Sequence, residues 1–281
     1  MPSNRFPDSP EKRELRRQDA RHLANFCAEA KFSLGLTYCG MPSVEFLDIR
    51  QWLPCLRSIH AVELDSDVLT DMEIQWNTLN LQLPVQFIGP TDIHDYLQNT
   101  PDCFDVYNLD LYGGFYFKRA GSVPKSVDTI RQLVAKHGKA RRSFILVCTF
   151  NARDTGVRDY LDFLDEIPDA IGGGWRDVAK CCDVHKKSQA SKLKLCFPYF
   201  CWQTGVAHGF EVLCHDVYVY YSTSTMIHFC VEFHYRSLGL PDLRHSYALV
   251  ELANRPLFRL AGVLPTIDMS PPQITAISVK A

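Results

Sequence analysis

Three short apolar runs in this sequence close on carboxylates, and their order suggests a chemistry. Glu63 follows Ser58-Ile59-His60-Ala61-Val62, Asp92 follows Val85-Gln86-Phe87-Ile88 across Gly89-Pro90-Thr91, and Asp110 ends the run Phe104-Asp105-Val106-Tyr107-Asn108-Leu109. A carboxylate at a strand end can accept both hydroxyls of a ribose, and a glycine turn on a neighbouring strand lets backbone approach the rest of such a ligand. Gly40, in Tyr38-Cys39-Gly40-Met41-Pro42-Ser43, supplies that turn. Gly40 and Glu63 therefore outline a nucleoside-type cofactor site, with Asp92 as a second acceptor for a base amino group. Each has a plainer role open to it, Gly40 as a turn and the two acids as caps of the helices that follow. Asn108, Asp110 and Tyr112 beside Gly113 and Gly114 point to a polar group bound at the fourth strand's end.

The elements needed to position these residues can be read around them. Phe32 to Tyr38 is a largely apolar strand, Ser43 can cap the next helix, and Phe46, Ile49 and Leu53 recur at helical spacing until Pro54. Such strand-helix-strand units favour parallel pairs with right-handed crossovers, which bring strand ends to one edge. Further alternations follow through the apolar run from Ser143 to Phe150, and two strand-like runs, Phe210 to Tyr221 and Met226 to Tyr235, end the pattern as an antiparallel hairpin. The expected fold is α/β: a Rossmann-like, mostly parallel seven-stranded sheet with helices on both faces and a terminal antiparallel hairpin. Before it, Ser9-Pro10-Glu11 opens a helix whose Leu15, His22, Leu23, Phe26 and Ala30 lie opposite Lys12, Arg13, Arg16, Arg17 and Arg21. The expected organisation is a basic amphipathic helix in residues 1–31, a Rossmann-like domain over 32–235 with a basic, Cys-rich insertion near 171–205, and a loop-rich extension over 236–281.

Composition narrows the field. A chain of 281 residues with 46% hydrophobic and 12% aromatic content can bury a sizeable core. A net charge of -2 gives no overall pull toward nucleic acid or anionic membrane, so a polyanion would need a local patch. Arg13, Arg16, Arg17, Lys186 and Lys187 are the candidates for RNA or DNA contact, and the same helix could seat a protein partner. No run reaches the roughly 18 apolar residues that span a bilayer, and 11 cysteines spread through apparent strands and helices suit a reducing compartment. A cytoplasmic protein without a membrane partner is expected. Cys181, Cys182, His185, Cys196 and Cys201 could form a zinc site, but their spacing is not that of paired CxxC knuckles, and Phe197-Pro198-Tyr199-Phe200 between the last two reads as core; Lys186 to Trp202 could touch a nucleic-acid strand or be a solvated loop running into a buried strand. No metal is therefore assigned. Walker, HExxH and GxSxG patterns are absent. An NAD-dependent enzyme would suit Glu63 equally, but GxGxxG is missing.

The alternation, the acids after the second and third strands, the Asp-containing fourth strand end and the final hairpin together resemble the class I S-adenosylmethionine-dependent methyltransferases. The resemblance implies that Tyr38, Cys39, Gly40 and Ser43 wrap the cofactor's methionine part, that Glu63 holds its ribose, and that Asp92 and Ile93 lie on its adenine side. Asn108-Leu109-Asp110-Leu111-Tyr112-Gly113-Gly114 is similar to the Asp-Pro-Tyr-Gly segment of tRNA guanine N2 methyltransferases, which implies an exocyclic amine of a nucleic-acid base as acceptor. Asp110, Tyr112 and Asn108 would then be the catalytic set. Two departures stand out: one glycine where the family's first loop has two or three, and Leu111 in place of proline. They leave open a non-catalytic Rossmann-like binding or scaffold module in a larger assembly.

Overall fold

The computed structural model describes residues 8–29, 34–111, 115, 125–152, 188–221, 224–236 and 258–259. Helix α1 (Pro10–Glu29) starts as its Ser-Pro-Glu signal predicts, with the Ser9 hydroxyl accepting the Lys12 amide at 3.3 Å. There follow β1 (Leu36–Gly40), α2 (Leu47–Trp52), β2 (Leu56–Val62), α3 (Ser66–Leu79), β3 (Val85–Ile88), α4 (Ile93–Asn99), β4 (Val106–Asp110), α5 (Lys125–Ala140) and β5 (Phe144–Asn151). Asp65 and Asp92 cap α3 and α4 through their side chains, satisfying amides that a helix start leaves open. The described chain resumes with α6 (Gln189–Ala207), β6 (Phe210–Cys214), β7 (Tyr218–Tyr221), β8 (Thr225–Tyr235) and a two-residue β9 (Phe258–Arg259).

The strands form one sheet in the order β3-β2-β1-β4-β5-β8-β7-β9, with β6 also beside β8. The first five are mutually parallel and β8 runs antiparallel to β5. β6 and β7 follow one another along the same side of β8, parted at His215–Val217, so they share one position in the sheet. The expected seven-position α/β sheet closed by an antiparallel hairpin is the architecture found, with β9 added at the edge.

Right-handed crossovers put helices on both faces. On one face α1, α2 and α3 pack through Leu23, Phe26, Ile49, Trp52, Met72 and Trp76 onto Tyr38, Ile59, Val106 and Val147. On the other, α4, α5 and α6 cover Cys39, Leu109, Cys148, Phe229 and Phe233. Helix α6 corrects, over its described part, the reading of Lys186 to Trp202 as a solvated loop running into a buried strand. Leu193, Leu195, Phe197, Phe200 and Cys201 are buried, and so are Lys192, Lys194 and Gln203, so the segment is buried on every side and shows no stripe to betray a helix, and Pro198 lies inside it. Cys196 and Cys201 are buried along this helix; Cys181, Cys182 and His185 lie outside the described residues.

One buried acid sets the register that matters for the site. Asp105, just before β4, accepts the Thr37 amide at 2.9 Å and hydroxyl at 2.7 Å on Oδ2, while Arg142 donates to Oδ1 at 2.7 Å. A buried carboxylate held by this many donors is compensated, and removing one partner would leave a charge exposed to low dielectric. The lock aligns β1 with β4 so that Gly40 stands opposite Asn108 at the carboxyl ends.

Candidate functional site

Successive strands run outward from β1 through β2 to β3, and then in the other direction from β4 to β5. In open parallel sheets ligands bind beyond the carboxyl ends of the strands at such a reversal. Here that point lies between Gly40 and Asn108.

Tyr38 and Asn108 meet Asp48 of α2 there. Asn108 Nδ2 donates to Asp48 Oδ2 at 2.8 Å and to Tyr38 Oη at 3.3 Å, and Tyr38 Oη stands 3.4 Å from the same carboxylate oxygen. Asp48 is 9% exposed, and its Oδ1 is buried without a well-formed hydrogen bond among the described residues. Burial raises its pKa to about 6, against the pull of the Ile49 and Asp48 amides, the Arg16 charge and the Asn108 hydrogen bond. Burial, with the Asp48 charge adding to it, also lifts the Tyr38 phenol well above its ordinary range. Gly40 serves this cluster: a Cβ there would lie 2.4 Å from the Asn108 carbonyl oxygen and 2.7 Å from Tyr38 Oη. The space expected for a ligand's approach is taken by the chain's own hydroxyl and backbone.

Asp110 lies two residues along the same face of β4. Withdrawal from water raises its pKa, and the positive charges of Lys12 and His228 oppose that shift without cancelling it. It stands opposite Thr149 of β5, which stands opposite His228 of β8. Thr149 Oγ1 is 2.9 Å from His228 Nδ1, and His228 Nε2 donates to Asp19 Oδ1 of α1 at 3.0 Å. Burial disfavours a charged His228, yet Asp19 and Asp110 outweigh it and hold the pKa above the usual value. A polar row therefore runs from α1 across β8 and β5 to Asp110.

Glu63 ends β2 half-buried. Its Oε1 accepts the Leu64 and Asp65 amides at 2.7 and 2.9 Å, leaving Oε2 without a partner among the described residues. Asp92 is more committed: Oδ1 accepts the His94 amide at 2.8 Å, and Oδ2 lies 3.7 Å from Lys125 Nζ. Cys39 and Ile93 are not brought to the edge, because both are buried among the apolar side chains under α4, and burial pushes the Cys39 thiol far up. Ser43 is exposed in the turn, where its hydroxyl accepts the Leu47 amide at 3.3 Å as the start of α2. Tyr112 lies outside the described residues.

Three participants were not anticipated from sequence. Asp48 interrupts the apolar run Phe46-Leu47-Asp48-Ile49, an acid inside a core-facing stripe, and that signal could have been used. Asp19 and His228 are 209 residues apart, and nothing local joins them.

No family model matches the chain, and no curated protein matches it. Among solved structures it is similar to Trm5b from Pyrococcus abyssi, at 8% identity over 82% of this chain and 51% of that one, with a TM-score of 0.43. It is also similar to an S-adenosylmethionine-dependent methyltransferase from Agrobacterium tumefaciens, at 11% identity over 75% of this chain and 60% of that one, TM-score 0.42. A third is magnesium protoporphyrin IX methyltransferase from Synechocystis PCC 6803 with bound S-adenosylhomocysteine, at 11% identity over 77% and 82%, TM-score 0.39. No helix among the described residues is long and apolar enough to cross a membrane.

Proposed function

We propose that the chain binds S-adenosylmethionine across the carboxyl ends of β1, β2 and β4 and transfers its methyl group to an exocyclic amine of a nucleic-acid base. The observation that carries this reading is the position, along the carboxyl edge on either side of the strand-order reversal, of Asp48 and Glu63, each with an oxygen left over, and of the half-buried Asp110. The donor set fits the cofactor. Asp48 Oδ1 offers an acceptor to a cationic ammonium, and Glu63 Oε2 offers one to a ribose hydroxyl. Bound there, S-adenosylmethionine supplies an electrophilic methyl carbon on a sulfonium.

The chain's own residues do the rest. Asp110 accepts a hydrogen bond from the acceptor amine and turns its lone pair toward the methyl carbon, so alignment and electrostatics carry the rate. Asn108 is a positioning residue, because its Nδ2 is engaged by Tyr38 and Asp48. The polar row through Thr149, His228 and Asp19 holds the neighbourhood of Asp110 rigid. A base acceptor is supported by α1: the charge of Lys12 reaches Asp110, and Arg13 and Arg17 beside it are exposed, pairing at the surface with Asp8 and Glu14. Arg16 is turned inward, with its side chain on Asp8 and its carbonyl accepting Trp52 Nε1 at 3.1 Å, so it drops out of that patch.

Titration calorimetry with S-adenosylmethionine and S-adenosylhomocysteine, with NAD as control, tests the reading. Micromolar binding of the first two, weakened about tenfold or more in Glu63→Ala, is expected, followed by methyl transfer to tRNA. Absence of binding to both would remove it and leave the non-catalytic scaffold in its place.

A further inference from the structure

A second group of polar side chains lies at the other end of the sheet, where β5 begins. Glu232 of β8 stands opposite Ile145 and Leu213 and is 3% exposed. Its Oε1 meets His215 Nε2 at 2.6 Å and its Oε2 meets His234 Nε2 at 2.7 Å. From α1, His22 stacks on His215 with ring centroids 3.6 Å apart and planes 20° from parallel. One ligand atom from each of His22, His215 and Glu232 lies within 4.8 Å of the other two.

We propose that His22, His215 and Glu232 bind a divalent transition-metal ion of the zinc class, which fastens α1 to the sheet. The ligand types suit it: two imidazoles and one carboxylate, with no thiolate, match zinc and its borderline neighbours rather than calcium or magnesium. The spacing suits it too. Ligand atoms about 2.0–2.1 Å from a tetrahedral ion sit roughly 3.4 Å from one another, a convergence that side-chain rotation from 4.8 Å can supply. His22 and His215 are half-buried, so water can complete the fourth position.

The outer contacts are also in place. Metal-bound carboxylates are normally oriented by a hydrogen bond to their second oxygen, and His234 makes that contact to Oε2. Glu29 of α1 completes a second set with Glu232 and His234, one ligand atom of each within 4.8 Å of the others, which shares the buried carboxylate. A buried glutamate in mid-strand needs compensating charge, which a dication supplies. The group is separate from the candidate methyl-transfer site: Glu232 is four residues along β8 from His228, about 13 Å at strand rise.

The test uses the full chain, stripped with chelator and then titrated with Zn²⁺, with Co²⁺ as a spectroscopic probe. One equivalent of zinc, tetrahedral or five-coordinate Co²⁺ absorption, and a melting temperature raised by zinc are expected. His22→Ala, on a half-buried helix position that leaves the sheet intact, should weaken zinc binding at least tenfold and abolish the thermal shift, and Glu232→Gln should remove binding. If Glu232→Gln does not fold, the double variant His22→Ala with His215→Ala takes its place. Less than a tenth of an equivalent bound by the parent overturns the proposal. So does stoichiometric binding that survives in the double variant and is lost on cysteine alkylation, which would put the ion on thiolates.

Discussion

The two faces of the sheet are built to different rules. Under α5 and α6 the side chains are aromatic and close-packed: the Phe197 ring lies 5.1 Å from those of Phe115 and Phe150 and 4.5 Å from that of Phe229, and Phe144 stacks on Phe233 at 4.4 Å. Under α1 and α2 the same strands bury or half-bury Tyr38, Asp48, Asn108, Asp110, Thr149, His228 and Asp19. Adjacent residues of one strand, such as Leu109 and Asp110, fall to opposite sides because strand side chains alternate. One face supplies stability through area removed from water. The other also packs apolar side chains, Leu23, Phe26, Ile49 and Trp52 among them, but adds this row of polar groups withdrawn from water, which is the arrangement expected where a ligand is to be met.

That contrast can be broken most strongly on the apolar side. Phe197→Ala should destabilise the fold by about 3–5 kcal/mol, measured by urea denaturation, with no selective effect on ligand affinity in whatever remains folded. On the polar side Asp110→Ala should leave S-adenosylmethionine affinity within a few-fold and the fold intact, while lowering turnover about a hundredfold or more. Loss of affinity with turnover retained would reverse the roles given to Asp110 and Glu63.

Asp48→Asn sharpens the comparison by stability alone. Because the folded-state pKa of Asp48 is about 6 and the unfolded value is near 3.9, the folded protein keeps this proton between those values. Its contribution to stability is present below about pH 4 and lost as pH rises to about 6. The variant should therefore be more stable than the parent at pH 7.5, by about 3 kcal/mol, with the gap closing at acid pH, and should bind S-adenosylmethionine more weakly. A variant less stable than its parent at pH 7.5 would show that the charged carboxylate is held comfortably and is no burden to the fold.

The fold was largely legible because its signals are local. Asp92 caps α4 in the plainer role open to it, while Asp65 rather than Glu63 caps α3; Pro10 opens α1, and the apolar runs became parallel strands, although β1 begins at Leu36 and takes in Gly40. Helix α6 was missed for a physical reason: a helix buried all round has no polar face to set a period. The site was legible in part. Glu63, Asn108 and Asp110 stand at the carboxyl edge as read, since strand order and length fix where ends fall. Cys39 was misplaced by the alternation rule itself, one residue from Tyr38 and on the other face. Gly40 was rightly singled out, but its freedom is used by Tyr38 rather than offered to a ligand. The Asp19 to His228 and His22 to Glu232 contacts depend on how α1 lies across the finished sheet, which no window of sequence contains.

Those contacts also order events in time. Helix α1 precedes by most of the described chain the strand that holds its buried acid, with 209 residues separating Asp19 from His228. At synthesis rates of about 5–20 residues per second, about 10–40 s separate Asp19 from its partner on β8, whereas Leu23 and Phe26 have α2 and β1 to pack on much sooner. β8 must also insert beside β5 before β6 and β7 have a neighbour. Through that interval the nascent chain therefore keeps Asp19 without His228 and the β5 edge of the sheet open, until β8 closes both at once.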